Sequence, residues 1–161
     1  MRMKTRRILT VLSVLTVIAP MIGCNAQDHS KRSSVKHVVL NVVLFNYLDR
    51  PIFDVDLNGT DIGVAGKFGG GRGVMTGVTI PMGTQTLSWR LDGPEGTPRN
   101  GETINVKNSI LLTTEKIPSG TCYLGVHIYP DETAEFTFSQ YLPKPSERGE
   151  AIYKEHHLYG R

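Results

Sequence analysis

The chain has 161 residues, 20% of them charged and 39% hydrophobic, a balance that suits one soluble globular domain. The net charge of +3 invites a nucleic-acid partner, but four of the 18 basic residues (Arg2, Lys4, Arg6 and Arg7) lie in the first seven positions. The other 14 face 15 acidic residues, so no basic footprint remains and binding to DNA or RNA is excluded. The chain opens with a basic stretch, MRMKTRR, and an apolar run, ILTVLSVLTVIAPMIG. These are the n-region and h-region of a secretory signal. At about 16 residues, with Pro20 inside, the run is short for a membrane span of ~20. It ends in MIGC, a small residue directly before cysteine, as in a bacterial lipobox. Residues 1–23 are therefore expected to be a lipoprotein signal peptide and Cys24 the lipidated N-terminus of the mature chain. Two or more acyl chains make such an anchor stable. Asn25, where aspartate would hold a lipoprotein at the inner membrane, points to the periplasmic face of the outer membrane.

Residues 24–35 carry the polar, aperiodic sequence NAQDHSKRSSV after Cys24 and are expected to form a flexible tether. Residues 36–161 are expected to form one β-domain. His37 to Leu48 is apolar and β-branched, which predicts a central strand buried on both faces. Ile52 to Asn58 alternates, with Phe53, Val55 and Leu57 inward and Asp54, Asp56 and Asn58 outward. Asn58-Gly59 signals a hairpin returning through Thr60 to Ala65. Strands follow at Val74 to Ile80, at Thr86 to Asp92 with Leu87, Trp89 and Leu91 inward, at Thr103 to Val106, and at Ile110 to Thr114. A last hairpin joins Cys122–Tyr129 to Glu135–Tyr141. A short C-terminal helix fits Ser146 to His156, where Glu150 and Lys154 can pair across one turn. About eight or nine strands without helical crossovers predict an all-β fold, an antiparallel β-sandwich of immunoglobulin-like or related type. With Cys24 lipidated, Cys122 has no intramolecular partner. Its place in an apolar run predicts a buried thiol.

The segment KFGGGRGV, Lys67 to Val74, is the least ordinary stretch: with Gly66 it holds five glycines. It fits neither phosphate-binding pattern, because no helix follows and the spacing of both glycine motifs fails. Two readings remain: a flexible connector, or a bare-backbone loop that a protein partner approaches closely. On the second reading Lys67, Phe68 and Arg72 are the contacting side chains, and the Asp54/Asp56 strand face is the next candidate. No G-x-S-x-G or zinc motif is present, and His127 is expected on a strand surface. No catalytic residue, metal ligand or cofactor is assigned, and a binding protein rather than an enzyme is expected.

Four segments in order, FNYLDRPIFDVDLNG, GKFGGGRGV, SWRLDGPEGTPRNGETINVKN and CYLGVHIYPDETAEFTFSQYLP, resemble the bacterial lipoprotein family called domain of unknown function 3304, over about residues 38 to 150. Met75-Thr76 occupy the place where that family often carries cysteines. The resemblance implies an immunity protein, a periplasmic lipoprotein that neutralises a lipase or phospholipase effector of the type VI secretion system. Two alternatives stay open: a structural or accessory envelope lipoprotein of a secretion system, and an envelope enzyme with a dispersed site.

Overall fold

The structure, a computed structural model, describes residues 36–159, without the side chains of Arg72 and of residues 157–159. The expected signal peptide, the lipidated Cys24 and the tether lie outside the described residues. Ten strands are present among the described residues: β1 (His37–Asn46), β2 (Ile52–Leu57), β3 (Thr60–Asp61), β4 (Gly69–Pro81), β5 (Gly83–Gln85), β6 (Leu87–Leu91), β7 (Thr103–Asn105), β8 (Ile110–Leu112), β9 (Tyr123–Ile128) and β10 (Ala134–Ser139). A helix, α1 (Glu147–Tyr159), follows. One sheet has the order β10-β9-β1-β4, a second β3-β2-β6-β7, and β5 pairs with β8. The fold is the expected all-β one, antiparallel in every strand pairing except β1 with β9, which runs parallel. Strands β2 to β8 lie in the connection between those two strands, and a parallel pair requires a crossover of this kind rather than a hairpin.

Alternation along the strands assembles the core. Leu40, Val42 and Leu44 of β1 join Leu124 and Val126 of β9 on one face of the first sheet. They pack in one cluster with Val55, Leu87, Trp89 and Ile104 of the second sheet. The alternate residues Val43 and Phe45 of β1, with Tyr47 just beyond it, form a second cluster with Tyr129, against which Ile152 and Tyr153 of α1 pack. β1 is thus buried on both faces, as its composition predicts.

The Asn58-Gly59 turn has positive φ at both positions, 53° and 81°, the geometry that a tight two-residue hairpin demands. Just before it the predicted alternation fails. Asp54 takes φ 47° at a register shift between β2 and β6, and this extra residue turns Phe53 outward. Phe53 is half-buried, with the Arg90 guanidinium 4.5 Å above its ring. Two further expectations are corrected. Cys122 is exposed, because β9 begins one residue after it. His127 is fully buried, because α1 covers the sheet face that was expected to meet solvent.

Candidate functional site

The glycine segment is not a connector loop. β4 starts inside it, pairing Asn46 with Gly69 and Phe45 with Gly70 before the register slips to Val43 with Val74. Gly71 to Gly73 therefore bulge opposite Leu44. The glycines nearest β1 are dictated by packing. A Cβ on Gly70 would stand 2.6 Å from the Leu44 carbonyl oxygen and from the Phe45 Cα, and Gly71 has φ 72° with the Phe45 ring 3.1 Å away. The closely approaching backbone is first of all the chain's own.

Gly66 and Gly73 differ from these. Neither has a positive φ, and a Cβ built on either meets nothing within 4 Å. Both line an open groove of about 760 Å³ between the start of β4 and the segment from Ile62 to Gly66. Leu44 forms part of its lining, as do Val64, Val74 and Met75, which are 71%, 40% and 40% exposed. Lys67 and Phe68 of the predicted contact set lie on this groove, and Lys67 is its one charged lining residue among the described side chains. Arg72 follows them, within β4, but its side chain lies outside the described residues.

Phe68 is half-buried and stacks on the His156 ring of α1, centroids 3.7 Å apart. Asp54 and Asp56 are not brought to this groove. Asp54 ion-pairs with Arg90 at 2.9 Å, and Asp56 accepts the Gly59 N–H at 2.7 Å. Among the described residues no group of three His, Cys, Asp or Glu stands close enough to hold a metal ion.

One organising residue escaped the sequence reading. Asn46 is fully buried at the end of β1. Its Oδ1 accepts the Leu48 N–H at 3.0 Å, while its Nδ2 donates to the Arg50 carbonyl at 2.8 Å and the Gly66 carbonyl at 2.9 Å. It ties the corner after β1 to the groove wall. Arg50 extends the corner by donating to the carbonyls of Asp92 and Pro98, both at 2.8 Å. The stretch NYLDRPI, residues 46 to 52, is here a structural corner. Asn46→Ala would leave buried backbone groups unpaired and is expected to cost about 1–3 kcal/mol. A urea titration checks this, and hydrogen exchange should show residues 62–66 loosened.

A polar relay seats α1 on the opposite face of the first sheet. The Ser146 N–H donates to the Tyr47 hydroxyl oxygen at 3.1 Å. The Tyr47 hydroxyl is hydrogen-bonded to His127 Nδ1 at 2.9 Å, and His127 Nε2 to Thr137 Oγ1 at 2.8 Å. In parallel, the Gly149 N–H donates to Ser146 Oγ at 3.0 Å, which caps the helix. The Ser146 hydroxyl donates to Tyr129, whose own hydroxyl donates to a Glu135 carboxylate oxygen, both at 2.7 Å.

Burial holds His127 neutral, with its pKa lowered to about 4 despite the nearby Glu135 charge. Burial likewise raises the Tyr47 and Tyr129 phenols, and Tyr153 is pushed up to about 12. Gly149 and Gly125 leave room for this packing. A Cβ on Gly149 would overlap the Tyr47 ring, and one on Gly125 would come within 2.8 Å of His127 Nε2.

Compared with family models, with curated proteins and with solved structures, the chain matches none. Among the described residues no helix is long and apolar enough to cross a membrane.

Proposed function

We propose that this domain is a lipid-anchored binding protein of the bacterial envelope whose partner docks at the groove beside Gly66 and Gly73. The partner we propose is a phospholipase effector of the type VI secretion system, as the family resemblance implies. Neutralisation requires no chemistry from this chain: covering the entrance of the effector's active site, or holding its lid closed, keeps phospholipid out.

The observation that carries the reading is the pair of glycines that the fold does not require. A glycine inside a strand costs roughly 0.5–1 kcal/mol relative to alanine, yet Gly73 has open space where a side chain would stand. A bare wall there leaves exposed backbone and the apolar Val64, Val74 and Met75 open to a partner. Phe68 flanks it with Lys67 beside it, and aromatic side chains are enriched in such contacts.

Capture of partners from envelope extracts with the tagged full-length chain tests the proposal. A captured lipase that stops hydrolysing phospholipid vesicles when the domain is added supports it. Capture of secretion-machine components alone, without a lipase, favours the accessory role and overturns it. The anchor has its own test. Cys24→Ser is expected to remove the protein from the outer membrane fraction, and unchanged partitioning of that variant contradicts lipidation at Cys24.

A further inference from the structure

The groove and the seat of α1 are joined through the helix itself. Tyr153 lines the groove, and His156 holds the Phe68 ring at its rim. Across the helix, Tyr153 also packs on Tyr47, centroids 4.9 Å apart, at the centre of the buried relay. We propose that α1 is a latch on the groove, opened when a proton enters the Tyr47–His127 relay beneath it. The inference rests on the reading of the groove as a docking site.

The hydrogen bonds dictate the mechanism. Neutral His127 keeps one ring nitrogen as an acceptor, for the Tyr47 hydroxyl at Nδ1 or for the Thr137 hydroxyl at Nε2. A protonated imidazole is a donor at both nitrogens. The hydroxyl that had donated to the ring must then turn its proton away, and the Tyr47 oxygen must accept from Nδ1 and from the Ser146 N–H that starts the helix together.

The charged and titratable groups around this point come from every packed element. Tyr47 lies just beyond β1, and Tyr129 follows β9. Glu135 on β10 attracts an imidazolium but already accepts the Tyr129 proton. From the helix, Glu150 acts on Tyr47, Tyr153 contacts it, and Arg148 lies over the Tyr129 ring at 3.9 Å while paired with Asp131 at 2.8 Å. Glu135 alone does not offset the cost of a buried charge. Undocking relieves it by admitting water to His127. The helix takes part in no strand pairing, so it can leave without breaking one. Its departure would free Phe68 and remove Tyr153 from the groove wall.

The test is hydrogen exchange of the full domain at pH 7.5 and pH 5.0, corrected for intrinsic rates. His127 near 4 when seated and near 6.5 when solvated predicts about 30-fold more opening of α1 at the lower pH. The loss of protection should be confined to α1 and spare β9, and His127→Gln should abolish the pH dependence. Unchanged α1 protection in the wild type, or an equal loss across β9 and β10, overturns the latch, and both decide the matter even if the variant does not fold. An equal response in a folded His127→Gln overturns it too. The readout needs no partner, so failure of the latch leaves groove binding standing, and failure of groove binding leaves the helix measurement intact.

Discussion

Replacing Trp89 by alanine is expected to destabilise the domain by about 3–5 kcal/mol, the range for deleting a large buried aromatic side chain. Trp89 is fully buried in the middle of β6, paired with Ile104 of β7 and facing the first sheet across the core. It is the largest of the fully buried side chains among the described residues, and a close-packed interior fills such a void only in part. Against a total stability of roughly 5–15 kcal/mol for a domain, this loss consumes a large share. Urea denaturation followed by circular dichroism measures it. Phe53→Ala is the control: the ring is half-buried on the outer face of the sandwich, so a much smaller loss is expected. Equal losses for the two variants would contradict the assignment of the inter-sheet core.

Acidification is expected to remove about 3 kcal/mol of stability through His127 alone. Its pKa is about 4 in the folded domain against 6.5 in the free side chain. A depressed histidine pKa means that the unfolded chain binds the proton more readily. The contribution is therefore complete above pH 6.5 and is lost progressively as the pH falls toward 4. The difference of about 2.5 in pKa, at 1.36 kcal/mol each, gives the magnitude. The carboxylates with lowered values act in the same direction but further into acid: Asp131 is held near 2, first by the Thr133 hydroxyl and then by Arg148. Urea midpoints measured between pH 7.5 and 4.5 should fall steeply for the wild type and much less for His127→Gln. Parallel curves for the two proteins would remove His127 from the account.

The features legible in the sequence are those carried by side-chain pattern. β1 shows its double burial in HVVLNVVLFN because both alternate sets are apolar. The hairpin is visible in Asn58-Gly59 because only a few residues accept two positive φ angles in succession, and Trp89 is visible through strict alternation in LSWRL. The i, i+4 contact between Glu150 and Lys154 forms as expected, loosely, at 3.9 Å.

The features that were hidden have equally physical causes. The first half of β4 carries almost no side chains, so no alternation exists to announce a strand, and the same glycines that suggest a loop allow the close pairing with β1. The bulge at Asp54 inserts one residue and reverses the face of Phe53, a shift that period-two reading cannot detect. His127 alternates with Gly125 and tyrosines, a pattern of a wet surface, and becomes buried only because a mostly polar helix packs on it through Ile152, Tyr153 and the bare Gly149. Of the candidate site residues, Lys67 and Phe68 were legible from composition. Asn46 was not, since its role depends on a corner that brings residues 50 and 66 to one amide.

The most direct test of the central claim is the affinity of the domain for its lipase effector, compared between the wild type and a variant carrying Gly66→Leu and Gly73→Leu. Both positions have open space for a side chain and ordinary backbone angles, so the variant's urea midpoint is expected to stay close to that of the wild type. Two leucines would fill the groove wall where the partner is proposed to approach. A loss of about 2 kcal/mol, roughly 30-fold in Kd, with protection of phospholipid vesicles lost in step, is the predicted result. A folded double variant that binds and inhibits the lipase as tightly as the wild type would contradict it.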